Sequence, residues 1–184
     1  MAIASIDPRT GETIETFAED ADAEIDRKIA VAARAFGSWR AARFDDRGKG
    51  MRRAAAILTA QRESLGRTMT EEMGKTLASA IAEVDKCARV CRYYADRAER
   101  DLADEPIETE ATTYVRYLPL GPVLAVMPWN FPLWQVFRFV APALMAGNVG
   151  LLKHASNVPR CAIAIERVLR DAGFPEGVFQ TLLV

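Results

Sequence analysis

Histidine and cysteine, the residues of most metal and thiol chemistry, are scarce in this 184-residue sequence. It has one histidine, His154, and three cysteines, Cys87, Cys91 and Cys161. An odd thiol count without a Cys-x-x-Cys spacing argues against a disulfide framework. Cys87 and Cys91 stand one helical turn apart, but a single imidazole makes a poor ligand set. All three are expected as buried, reduced thiols of a cytoplasmic protein. Excess charge is lacking too: 27% of residues are charged and the formal net charge is −1. That removes the electrostatic case for nucleic acid or an anionic membrane surface. No charged–apolar–small leader opens the chain, which points away from secretion. Gly-x-Gly-x-x-Gly is also missing, and with it the usual dinucleotide-binding signature.

What is present is ordinary globular composition, half apolar, enough for one sizeable domain or a domain with an appendage. The stretch from Leu118 to Leu152 is nearly uncharged and long enough to span a bilayer. Pro119, Pro122, Pro128, Pro132 and Pro142 interrupt it, however, and Arg138 lies near its middle. That is poor material for a spanning helix.

Residues 3–17 read as strand, Pro-Arg-Thr-Gly turn, strand. Asp20 or Asp22 is placed to cap a helix with Ile25, Ile29, Ala32, Ala33 and Phe36 on one face, ended by Gly37. A second helix is predicted over about 45–72, weakened at Gly48 and Gly50 and stopped near Gly74. A third, over about 76–102, carries the stripe Leu77, Ile81, Val84, Ala88, Cys91, Ala95, Ala98 and Leu102. After the acidic connector DEPIETEA the period changes. TTYVRYL (112–118) alternates like an exposed or partner-facing strand, and GPVLAVM (121–127) is a run suited to a buried parallel strand. Helix, strand VGLLKH (149–154), helix and strand VFQTLLV (178–184) follow. The fold class expected is α/β: a helical segment plus half of a doubly wound, Rossmann-like parallel sheet. The parts are 1–111, a hairpin and helices; 112–120, an arm; and 121–184, a βαβαβ nucleotide-binding half. The last strand is expected to present an unprotected apolar edge.

Ligands of such sheets gather beyond the carboxyl ends of the strands. There, in VMPWNFPLWQVFR (126–138), stand Asn130 and Arg138. Asn130 or Phe131 would cap the following helix, with Pro132 early in its first turn. Alternatively, the Asn130 amide is free to donate to an oxygen that gains negative charge, as in an oxyanion hole.

PWNFP, PALMAGN (142–148), LLKHASN (151–157), GFPEGVFQ (173–180) and EMGK (72–75) together resemble the aldehyde dehydrogenase superfamily. The resemblance runs along nearly the whole chain, and among members it is strongest to bacterial succinate-semialdehyde dehydrogenases. It implies that Asn130 is the oxyanion-hole amide of the thiohemiacetal intermediate, and that Val126, Met127, Pro128 and Trp129 line the cofactor groove. It implies a homo-oligomer in which 112–118 is the oligomerisation arm. It also places a nicotinamide dinucleotide's adenine ribose near Lys153 and Ser156. A ribose 2′-hydroxyl is usually held by a carboxylate, which would repel a 2′-phosphate. Between Lys153 and Glu166 the sequence offers Lys153, Ser156 and Arg160 but no carboxylate, so NADP is expected before NAD.

Arg138 carries an argument of its own. Eight helical residues rise roughly 12 Å, and an arginine leaning back toward the N-terminus reaches about 6 Å. That puts the guanidinium about 5–6 Å from the Asn130 amide, a span suited to a four-carbon chain with an aldehyde at one end and a carboxylate at the other. An arginine bonded to internal carbonyls is the structural alternative. The family's nucleophilic cysteine and glutamate base have no counterpart here, since Cys87, Cys91 and Cys161 all sit on predicted helices. Two functions follow. One is the N-terminal part of a succinate-semialdehyde dehydrogenase, inactive alone. The other is a non-catalytic nucleotide-binding or assembly module, or a dehydrogenase of another semialdehyde.

Overall fold

The computed structural model describes residues 3–109 and 111–184. The alternating segment at the start forms a hairpin of β1 (Ile3–Ile6) and β2 (Thr13–Phe17). Helix α1 (Asp22–Trp39) continues through Gly37, which is not among the positive-φ glycines and so does not act as the expected left-handed stop. No side chain caps it; Asp20 is engaged elsewhere. The predicted second helix is two: α2 (Phe44–Ala60) and α3 (Arg62–Met73) meet at Gln61. α2 runs unbroken through Gly48 and Gly50. A Cβ on Gly48 would stand 3.2 Å from the Ala95 carbonyl and one on Gly50 3.3 Å from the Phe174 ring, so both glycines are close-packing positions. Gly74 ends α3 in the left-handed region, at φ 75°.

Helix α4 (Leu77–Asp101) packs against α2, α3 and α5 (Trp134–Met145). Between α4 and the sheet the acidic connector forms β3 (Glu105–Ile107), paired antiparallel with β4 (Thr113–Val115); Glu110 lies outside the described residues. Both strands are exposed.

The parallel sheet has the order β5 (Pro122–Met127), β6 (Val149–His154), β7 (Phe179–Leu182), with α5 and α6 (Pro159–Asp171) as crossovers. The Asn of PALMAGN pins this geometry: Asn148 Oδ1 accepts from the Leu120 and Gly121 amides while its Nδ2 donates to Ala143. One apolar core joins α1, α2, α4, α5, α6 and the sheet, including Met51, Leu58, Val84, Phe137, Leu144, Leu152 and Ile165.

Two expectations reverse at the sheet edges. β7 is closed. On its outer edge the Thr181 amide donates to Glu166 Oε2 and the Thr181 carbonyl accepts from Lys28 Nζ. The Leu183 amide donates to Asp20 Oδ2 and its carbonyl accepts from the Asp20 amide. β5, expected to be buried, is instead the open strand. Leu124 and Val126 are 58% and 68% exposed, and among the described residues no hydrogen bond reaches its outer edge. No helix among the described residues is long and apolar enough to cross a membrane.

Candidate active site

The chain turns from β5 into α5 through residues 128–133, and four side-chain contacts from outside the turn grip the backbone of residues 130–134. Lys75, just past α3, donates to the Asn130 carbonyl at 3.1 Å. Its ammonium is paired with Glu83 of α4 and lies 3.8 Å from the centroid of the Phe131 ring. Buried Glu83 accepts from the Leu133 and Trp134 amides at 3.0 and 2.9 Å, a charged cap on the positive end of α5. His154, at the end of β6, bonds the Pro132 carbonyl at 2.9 Å through Nε2. Because its Nδ1 accepts from the Ala155 amide at 2.8 Å, Nε2 carries the proton and the ring is neutral. Burial pushes the His154 pKa below its ordinary value.

Asn130 therefore does not cap α5; Glu83 does, and the capping alternative for Asn130 falls away. Its side-chain amide is exposed and makes no hydrogen bond to a described residue. Arg138 lies on α5, exposed, without a hydrogen bond or ion pair among the described residues, so internal carbonyls do not consume it. Helical hydrogen bonding starts at the Phe131 carbonyl, so the regular rise toward Arg138 begins one residue after Asn130.

In the ladder Val126 stands opposite Lys153 and Met127 opposite His154. Adjacent strand residues face opposite ways. Val126 is exposed, whereas Met127 packs on the core and its carbonyl accepts from Ala155. Pro128 and Trp129 are exposed beside Asn130. Lys153 is half-buried and Ser156 exposed, neither bonded to a described side chain. Arg160 is not free as the sequence suggested: it pairs with Glu71 at 2.8 Å and lies 3.8 Å from Glu15. The absence of carboxylates along 153–166 also fails in space, since α3 and β2 bring them from elsewhere and Glu19 shares a shallow recess with Ser156.

A dinucleotide's phosphates commonly sit on a helix N-terminus. Here both candidates are taken: Glu83 holds the α5 amides, and buried Glu72 accepts from the Arg160 and Cys161 amides of α6 at 2.7 and 2.8 Å. Among the described residues the Lys153 ammonium and the Ser156 hydroxyl have no side-chain partner, and neither helix N-terminus offers a pyrophosphate a free set of amides.

The sequence pattern of the aldehyde dehydrogenase family matches residues 1–184. The chain belongs to the aldehyde dehydrogenase family. It is 58% identical over 185 residues to a probable succinate-semialdehyde dehydrogenase [NADP(+)] of Synechocystis, and 55% identical over 188 residues to succinate-semialdehyde dehydrogenase [NADP(+)] 1 of Mycobacterium tuberculosis. In both comparisons the whole chain is covered but only 41% of the relative. The crystal structure of succinic semialdehyde dehydrogenase from Streptococcus pyogenes in complex with NADP+ superposes with a TM-score of 0.97 at 35% identity, covering 100% of this chain and 41% of that one.

Within this aldehyde dehydrogenase chain, Lys75, Glu83 and Glu72 are the residues that sequence reasoning passed over. One signal was available for Glu83. The buried face of α4 runs through Ala80, Val84, Cys87 and Cys91, and Glu83 is a charge set within it. Lys75 lies in EMGK, a motif that read only as likeness.

Proposed function

We propose that this chain supplies the oxyanion donor and substrate clamp of an NADP-dependent succinate-semialdehyde dehydrogenase, which oxidises succinate semialdehyde to succinate as NADP+ is reduced. The identity of 58% over the full chain to a relative so named is the observation that carries the reading. The geometry is consistent with it. The free Asn130 amide is available to an aldehyde oxygen as that oxygen gains charge, where one preorganised donor is worth about 10²–10³ in rate. Arg138 offers a bidentate partner to the substrate's distal carboxylate. Lys153 and Ser156 would hold the 2′-phosphate of the dinucleotide, with Val126, Pro128 and Trp129 and the backbone of Met127 along its groove. The bound nicotinamide supplies the hydride acceptor.

None of the three cysteines suits the nucleophile. All are buried, and burial raises their pKa values, that of Cys91 to about 12. The thiolate and the general base would come from outside these 184 residues. The β3–β4 hairpin, with Ile107, Tyr114, Val115 and Tyr117 exposed, supports a role as an oligomerisation arm of a homo-oligomeric, cytoplasmic enzyme.

The test compares NADPH formation from succinate semialdehyde by the isolated 184-residue chain and by a full-length polypeptide that contains it. Turnover by the full-length protein alone is expected. Turnover by the isolated chain would contradict the missing nucleophile, and failure of the full-length protein on this substrate would contradict the assignment.

A further inference from the structure

We propose that Lys75, Glu83 and His154 are positioning residues whose joint grip on the backbone of residues 130–134 sets the direction of the Asn130 amide. The proposal rests on the reading of Asn130 as an oxyanion donor.

The grip comes from three separate places in the fold: the link between α3 and α4, the second turn of α4 and the tip of β6. Each contact falls on a main-chain group: the Asn130 carbonyl, the Pro132 carbonyl, and the Leu133 and Trp134 amides. None touches the Asn130 side chain, so the amide is oriented without being consumed. The contacts are also linked. Lys75 joins Glu83 to Asn130, and the same ammonium stacks on the Phe131 ring. Lys75 and Glu83 are nearly buried, with side-chain exposures of 11% and 1%, so water competes weakly for these bonds. An exposed loop bearing Pro128, Trp129, Asn130 and Phe131 would otherwise sample several directions, and the rate contribution of an oxyanion donor depends on where it points before reaction.

A double-mutant cycle in the full-length enzyme tests this. Asn130→Ala should lower kcat about 100-fold or more. Lys75→Met should lower kcat between about 10-fold and 100-fold with little change in the KM for cofactor, and Lys75→Arg should restore part of it. In the Asn130→Ala background, Lys75→Met should bring no further loss. Because Lys75→Met leaves Glu83 without its cation, the same cycle is run with Glu83→Gln added, which keeps an acceptor oxygen for Leu133 and Trp134. Amide hydrogen exchange across 129–134 should quicken in the Lys75 variants while β6 stays protected. Additive losses, or an unchanged kcat in Lys75→Met, would overturn the positioning role. An unimpaired Asn130→Ala enzyme would instead remove the oxyanion reading, and the positioning role with it.

Discussion

At the scale of single residues, two side chains carry tests of their own. Ser156 is exposed, with no hydrogen bond to a described side chain, and Glu19 lines the same recess; a carboxylate at position 156 itself would add to the repulsion of a 2′-phosphate while accepting from a 2′-hydroxyl. Ser156→Glu in the full-length enzyme is expected to lower the ratio of kcat/KM with NADP to that with NAD by about tenfold or more, about 1.4 kcal/mol; an unchanged ratio removes Ser156 from the cofactor site. His154 makes a different prediction. Its folded-state pKa lies below the ordinary 6.5 because burial disfavours the cation. As pH falls below that value the unfolded chain binds the proton first, so the neutral imidazole's contribution is complete above it and shrinks in acid. Urea midpoints between about pH 7.5 and pH 5.5 should therefore fall more steeply for the natural chain than for His154→Gln. Equal slopes would show that His154 does not titrate differently on folding. Asn130 and Arg138 were legible as candidates because an amide and a guanidinium are out of place in an apolar stretch. The contacts of Lys75 and Glu83 with the backbone of the Asn130 turn were not legible, because pairs 55 and 50 residues apart leave no local pattern.

Elements were readable where a periodic apolar face met a capping or breaking residue. The hairpin came from alternation around a Pro-Arg-Thr-Gly turn, and α1, α4 and the order strand–helix–strand–helix–strand from their apolar periods. The errors share a cause. Gly48 and Gly50 were weighed by helix propensity, whereas the Ala95 carbonyl and the Phe174 ring pressed against α2 decide them. β5 and β7 were weighed by hydrophobicity, whereas the polar groups that reach an edge decide which one is closed. Asp20, Lys28 and Glu166 lie far from β7 in sequence or on another element, yet they occupy its outer backbone groups. β5 keeps Leu124 and Val126 open, the configuration that invites a further strand or another copy. The isolated chain should accordingly self-associate. Leu124→Lys with Val126→Lys should shift it toward monomer in light scattering while leaving the thermal midpoint within a few degrees, since both side chains are already solvated. Association unaffected by the pair would place the contact elsewhere, with the β3–β4 hairpin next in line.

For the whole molecule, one core joins the helices of the first hundred residues to the parallel sheet, so the groups gripping the 128–133 turn rest on a single packed body. The same body leaves the β5 edge of the sheet open, and the Asn130 turn follows the carboxyl end of that strand, where a doubly wound sheet gathers its ligand. The chain spans 41% of the curated relatives it matches, and its three thiols are buried. The residues proposed as donor, clamp and ribose-phosphate partners, Asn130, Arg138, Lys153 and Ser156, thus lie on a body whose own thiols are poor nucleophiles. Under the proposed function, substrate identity turns on Arg138. In the full-length enzyme, Arg138→Ala should raise the KM for succinate semialdehyde by about 100-fold, the equivalent of a charge-assisted hydrogen bond of about 3 kcal/mol, while small uncharged aldehydes change by less than about threefold. Equal losses on the charged and uncharged aldehydes would show that Arg138 does not bind the carboxylate, and the semialdehyde assignment would fail.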